Sequence, residues 1–360
     1  MTAAPMIPAG WVDVTPAWMT TALRASYPGV EVSDVELVLR DDGTNRRARF
    51  RLTHAGAPGP GTVFVKAADP DHAELNARTG GIFNEPKLFR SDVSLPLDHP
   101  QVHLSLIDEP TLDFVMVMED IAARGGDPRD ATRPMSVDQA ADGVRGLARL
   151  HRRFWGERLD AEPGLDWVEP FVAWTGMHRA ISGGLARVGP SVQPEVGGLT
   201  GEQIEHQWFR YAATLTDGPL TLLHGDAHIG NTYVLPGDRV GFLDWQVLRR
   251  GNHVLDLGYF LQGALTVDDR RTSEAELIDE YVTALDLPAG EAPTRDDVWL
   301  RYRASATHGL ALWMATASGD WQRPEVSLAL VQRYASAFVD LDTPAALDDL
   351  ERSRPFETPW

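Results

Sequence analysis

Apolar positions recur every second residue along the first part of the chain. Residues 32–40 (VSDVELVLR) read as a strand, 47–53 (RARFRLT) as a second with Ala48, Phe50 and Leu52 on one face, and 62–66 (TVFVK) as a third. Short turns between them imply an antiparallel meander. Residues 71–93 read as helix interrupted at Gly80-Gly81, with Ile82, Phe83 and Leu88 buried. Residues 101–106 and 112–118 read as two more strands. The second is apolar at each position from Phe114 to Met118, the pattern of a strand covered on both faces. After residue 120 the period changes to that of a helix: Val137, Ala141, Val144, Leu147, Leu150, His151 and Phe154 fall on one face, with Ser136 as N-cap. Residues 167–215 read as largely helical with a Gly/Pro break over 183–201, and further helices are expected near 254–265, 274–285, 295–317 and 325–340. Residues 355–360 read as a tail, and no internal repeat is visible.

One stretch departs from both periods. An apolar run at 220–223 leads into the polar loop His224-Gly225-Asp226-Ala227-His228-Ile229-Gly230-Asn231, and two short strands follow around Pro236-Gly237-Asp238. They form a hairpin. A hairpin returns the chain beside its own start, so Asn231 and Asp244 are expected as neighbours, with Asp226 just ahead of them. Two carboxylates and an amide suit Mg²⁺ together with a general base.

Composition narrows the field. A chain of 360 residues is expected to form two lobes. The absence of cysteine excludes disulfides, thiol nucleophiles and cysteine metal sites. A formal charge of −19 argues against a nucleic-acid partner. No apolar run reaches the ~18 residues of a membrane helix, and no secretory signal is apparent, so neither a membrane nor export is expected and the expected location is the cytoplasm. Only Lys66 and Lys87 among the 33 basic residues are lysines. A lysine kept at the end of an apolar strand, with Glu85 nineteen residues later on a helix, fits an ammonium held by a glutamate for contact with nucleotide phosphates. The turn Gly43-Thr44-Asn45 offers backbone N–H groups to an anion. His224 reads as scaffold, Asp256 as a residue that caps or steadies the loop, and His228 as a phosphate contact, a substrate contact or a structural residue.

Asn231 follows Asp226 by five residues and Asp244 follows Asn231 by thirteen, the spacing of the protein-kinase catalytic loop and its metal-binding acid. With glycine after the histidine, the segment resembles the aminoglycoside phosphotransferase and choline kinase superfamily. Asp244-Trp245-Gln246, Gly43-Thr44-Asn45 and Met116-Val117-Met118-Glu119-Asp120 resemble its ecdysteroid-kinase-like branch. The resemblance implies an α+β, bilobal protein-kinase-like fold: an antiparallel-sheet N-lobe over 1–120 and a mainly helical C-lobe over 121–360. It implies Mg²⁺ and ATP, with Lys66 on the phosphates, adenine near Glu119 and Ile121, Asn231 and Asp244 on the metal, and Asp226 as base toward a small-molecule alcohol. No Gly-x-Gly-x-x-Gly motif is present to cover the phosphates.

Eleven tryptophans favour a bulky hydrophobic alcohol as acceptor. Trp155, Trp167, Trp174 and Trp208 precede the loop, and Trp299, Trp313 and Trp321 follow it. A choline-type cation is the alternative use of such indoles. An aminoglycoside would call on Asp268, Asp269, Glu274 and Glu276, which read as solvated helix faces. A catalytically silent nucleotide-binding relative is the remaining reading, and retention of all five key polar residues argues against it.

Overall fold

The computed structural model describes residues 6–78 and 81–353; Gly80 and the tail at 355–360 lie outside them. The chain divides into two units. The first takes residues up to 94, 99–127 and 243–247, and the second takes 95–98, 128–242 and those from 248 onward.

The first unit is built on β1 (Val32–Arg40), β2 (Asn45–His54), β3 (Thr62–Ala68), β4 (Val102–Asp108) and β5 (Asp113–Glu119). They form one sheet in the order β1-β2-β3-β5-β4 with every neighbouring pair antiparallel. Strand period explains its two cores. Val115 and Val117 of β5 join Phe50, Val63 and Val65 on one face. Phe114, Met116 and Met118 join Ala68 and Ile82 on the other, packed with Phe64. Lys66 alternates with Phe64 and Ala68, and so stands on this second face. The first face is covered by α1 (Pro16–Leu23), a helix the sequence reading overlooked; Thr15 caps it and Pro16 fills its first position. The helix expected over 71–93 with an interruption at Gly80-Gly81 takes the form of two short helices, α2 (Ala73–Arg78) and α3 (Asn84–Arg90).

The second unit is mainly helical. It contains α4 (Val137–Arg153), α5 (His178–Val188), α6 (Gly201–Ala212), α7 (Val254–Ala264), α8 (Val267–Leu285), α9 (Arg295–Thr316), α10 (Pro324–Asp340) and α11 (Thr343–Ser353). Ser136 caps α4 as expected, in a reciprocal box with Gln139. Two expectations fail between 167 and 201. Residues 168–177 are not helical, and α5 runs through Gly183-Gly184 instead of breaking there. The reason is packing: a Cβ at Gly184 would lie 1.8 Å from the Met314 carbonyl oxygen, so the glycine admits close approach of α5 to α9. Helix α9, buried over most of its length, is the element on which α5, α6, α7, α10 and α11 pack. Short strands complete the unit, among them β6 (Thr221–Leu223), β7 (Thr232–Leu235), β8 (Arg239–Phe242) and β9 (Arg249–Gly251). β7 and β8 form the expected hairpin, and β6 pairs with β9. Both sides of the α+β division are thus present, an antiparallel sheet in one unit and helices in the other. No helix among the described residues is long and apolar enough to cross a membrane.

Candidate active site

In the first unit a buried ammonium lies between two carboxylates. Lys66 Nζ, from β3, donates to Glu85 Oε2 at 2.5 Å and to Asp244 Oδ1 at 2.8 Å. Glu85 sits in the first turn of α3, and its other oxygen accepts from the Trp245 amide at 3.3 Å. Burial alone would push the Lys66 ammonium down, but the charges of Asp244 and Glu85 outweigh it and hold the group above its ordinary value. Burial also pushes Glu85 up, and Lys66 draws it back only in part. Asp244 is the exposed member and has φ 61°, an uncommon conformation for a residue other than glycine.

The backbone after Asp244 is pinned from two sides. Asn45 Nδ2 donates to Gln246 Oε1 at 2.8 Å, and Asn84 Nδ2 donates to Gln246 O at 3.0 Å. The first turn is therefore more than an amide cradle: Asn45 is buried with its side chain on Gln246, while Gly43 is exposed and Thr44 gives its carbonyl to Asn76. Sequence spacing could not reveal a tie across two hundred residues. At the end of β5, Glu119 pairs with Arg124 at 3.0 Å, and Ile121 opens a short turn capped by Asp120.

In the second unit the polar loop hangs between β6 and β7. Asp256, in the first turn of α7 and wholly buried, accepts from the His224 amide at 2.7 Å and the Gly225 amide at 2.9 Å. His151 Nε2 lies 3.2 Å from the same carboxylate, and its Nδ1 lies 2.6 Å from the Tyr281 hydroxyl. His224 is scaffold: its Nδ1 accepts from the Asp226 amide at 3.2 Å. Gly225 supplies φ 82° at the bend. The Asn231 carboxamide nitrogen donates at 2.9 Å to both the carbonyl and the Oδ2 of Asp226, so its oxygen is the atom left to ligate. His228 caps the short turn Ile229–Asn231 through Nδ1, with Nε2 3.8 Å from Asp226 Oδ2.

Tyr259 was missed. Burial, reinforced by the negative charge of Asp226, pushes its phenol well above its ordinary value. The available signal was spacing, since Tyr259 lies three residues beyond Asp256 on one helical face. From Tyr259 an aromatic run leads outward. His308 meets it edge-on at 4.9 Å, accepts from Trp208 Nε1 at 3.1 Å, and is pushed down to about 3 by burial. Trp208 meets Trp174 at 5.1 Å, and Trp174 is 42% exposed. The other tryptophans divide: Trp155 and Trp313 are buried, Trp313 against His228, while Trp321 is exposed. Glu274 is not a solvated acid: it is buried on Arg270 and the Tyr302 hydroxyl, both at 2.8 Å. Asp269 is held by Thr266.

Magnesium takes oxygen ligands, commonly one or two carboxylates completed by phosphate oxygens and water. The partly exposed Asp244 carboxylate and the Asn231 carboxamide oxygen each suit that chemistry. No group of three or more His, Asp or Glu side chains able to hold a metal occurs among the described residues.

Residues 95–297, more than half of the chain, match the model of the phosphotransferase enzyme family; Lys66, Glu85 and the 43–45 turn precede the match. No curated protein matches the chain. Among solved structures, an aminoglycoside-3'-phosphotransferase of type VIII is 21% identical, with 83% of this chain and 97% of that one covered at a TM-score of 0.43. A choline kinase from Cryptosporidium parvum is 11% identical over 94% of this chain and 96% of that one, at 0.49. A macrolide 2'-phosphotransferase from Brachybacterium faecium is 18% identical over 86% and 95%, at 0.41. These likenesses are distant, and the functional reading rests on the family match and the geometry.

Proposed function

The chain belongs to the phosphotransferase enzyme family, and from that premise we propose that it is a Mg²⁺- and ATP-dependent kinase of a small-molecule alcohol, nearest the ecdysteroid-kinase-like branch. The observation that carries the reading is the Asp226–Asn231 bond: the loop holds a carboxylate as base and turns an amide oxygen outward beside it. The acceptor hydroxyl gives its proton to Asp226 as its oxygen bonds to the γ-phosphorus, and the bond from that phosphorus to the β-phosphate oxygen breaks to release ADP. Lys66, kept charged by Glu85, grips the phosphates. Asn231 and Asp244 would hold Mg²⁺, which would offset the phosphate charge. Adenine is assigned to the backbone near Glu119 and Ile121, and the exposed Gly43 and half-buried Thr44 are the parts of the first turn assigned to phosphate.

For the acceptor we favour a bulky hydrophobic alcohol. The support is the half-exposed Trp174, seated on a buried aromatic run through Trp208 and His308 to Tyr259 in which His308 is neutral at working pH. The aminoglycoside alternative loses support because Glu274 is spent on Arg270. ADP release with Mg-ATP and a panel of hydrophobic alcohols, kanamycin-type sugars and choline tests the reading. Turnover of the apolar alcohols is expected. Turnover of only the sugars or choline would overturn the acceptor class, and Mg-ATP binding with no turnover at all would mark a silent relative.

A further inference from the structure

The second face of the sheet carries more positive charge than Lys66. Along β2 the residues alternate: Ala48, Phe50 and Leu52 are buried, and Arg47, Arg49 and Arg51 fall on the opposite face. Register places Arg47 directly beside Lys66, with Met116 of β5 beyond it, so the three form one row across the sheet. On its other side the row continues to Asp41, whose amide donates to the Arg47 carbonyl at 2.9 Å. The guanidinium lies over the turn that follows β1. Arg47 Nε donates to Asp41 O at 2.8 Å, and Nη2 is 3.1 Å from the Asp41 carboxylate. Gly43 leaves room for it, since a Cβ there would lie 3.2 Å from Arg47 Nη2.

The cations of this face are not equally engaged. Lys66 is buried between Glu85 and Asp244, and Arg49 lies 3.1 Å from the buried Asp120. Arg47, only partly covered, has the exposed Asp41 as its ionic partner. An exposed pair of this kind contributes little and is readily exchanged. A guanidinium takes phosphate oxygens in the same forked geometry as carboxylate oxygens. We propose that Arg47 is a nucleotide-binding residue: when Mg-ATP arrives, its guanidinium leaves Asp41 for the phosphates beside Lys66 and covers them where a glycine-rich loop is lacking. The inference rests on the kinase reading, with the nucleotide on the Lys66 face. It goes beyond that reading by giving the phosphates a mobile charged side chain in addition to the amides of the turn.

The test is Arg47→Met, which keeps the stem and deletes the charge, with binding of Mg-ATP and of adenosine measured by calorimetry on the full chain. A charge-assisted hydrogen bond to phosphate is worth enough for the Kd of Mg-ATP to rise about tenfold. The Kd of adenosine, which has no phosphate, should stay within about twofold. Asp41→Asn removes the anion that competes for the guanidinium, so its Kd for Mg-ATP should be equal to or lower than that of the wild type. An unchanged Mg-ATP Kd in Arg47→Met, or an equal loss for adenosine, would overturn the inference. Weaker Mg-ATP binding in Asp41→Asn would overturn it too, by showing that the pair serves the turn alone. If Arg47→Met fails to fold, Arg47→Gln takes its place under the same criteria. All three reversals leave the kinase reading standing, because the wild type still binds Mg-ATP. A wild type that binds no Mg-ATP instead sinks that reading and this inference with it.

Discussion

The two units hold the charged groups of the candidate site in opposite ways. In the first, a cation is matched with anions: Lys66 lies between Glu85 and Asp244. In the second, the anions are matched with amide donors: Asp256 with two backbone N–H groups and Asp226 with the Asn231 carboxamide. Ionic partners can be exchanged, since an ammonium, a metal ion or a proton can each answer a carboxylate. Amides cannot leave, and they fix direction. A phosphoryl-transfer enzyme needs both, a set of charges that rearranges around its nucleotide and a frame that keeps the base aimed.

Four outcomes would sharpen or break this contrast. The largest concerns the frame. Asp226→Asn keeps the shape and removes the base, so turnover should fall about 10²–10⁴-fold, while the rise in melting temperature with Mg-ATP persists. Near-normal turnover would end the assignment. Next is the exchangeable cluster: Lys66→Met takes the ammonium away from Glu85, which is buried away from water, and should cost about 3 kcal/mol at neutral pH in urea unfolding. The loss should shrink in acid, because Glu85 can take up a proton in place of the ammonium; a pH-independent loss would show that packing and not charge was removed.

The third outcome tests the units by acid. His308 stays neutral in the folded chain down to about 3, and burial holds His253 well below its ordinary value too. The unfolded chain binds a proton near ~6.5, so between these values it binds more protons than the native state, and stability falls as pH falls. At pH 5 His308 should cost about 2 kcal/mol, and His253 adds a loss of the same sign. Glu85 has the opposite sign: its raised folded value gives a contribution present in acid and lost as pH rises. Hydrogen exchange between pH 7 and 5 should therefore show the second unit loosening first, with His308→Gln reducing the effect. Smallest is Trp174→Ala. Its ring contact with Trp208 is worth about 1 kcal/mol, so stability should hardly move, while KM for an apolar acceptor should rise severalfold at unchanged kcat. A rise in kanamycin KM instead would favour the sugar.

The strands were legible because they alternate or run apolar, whereas the pairing of β3 with β5 and the register shifts of β1–β2 and β4–β5 depend on distant partners. The loop from His224 to Asn231 was legible because its chemistry is compressed into eight residues. What escaped depends on tertiary partners. Helix α5 crosses Gly183-Gly184 because α9 lies against it, a fact no local propensity contains. Asn45 looked like part of an anion turn and is in addition a strut for Gln246. Glu274 looked like a wet helix acid until Arg270 and Tyr302 were found beside it. Tyr259 carried a helical spacing signal, but α7 is buried along its whole length, so its apolar pattern singled out no face.

The burial of Lys66 has a practical use for chemical labelling. Its side chain is 5% exposed, whereas that of Lys87, the other lysine, is 36% exposed. Amine-directed acylating reagents should therefore modify the folded chain at one lysine side chain, giving a defined attachment point on α3 for a dye or a surface. Acylation at Lys66 would then require local opening and occur at a rate set by its free energy. Peptide mass mapping of the two lysines over time would make the chain its own clock, with Lys87 reporting reagent and Lys66 reporting how often the ion cluster comes apart.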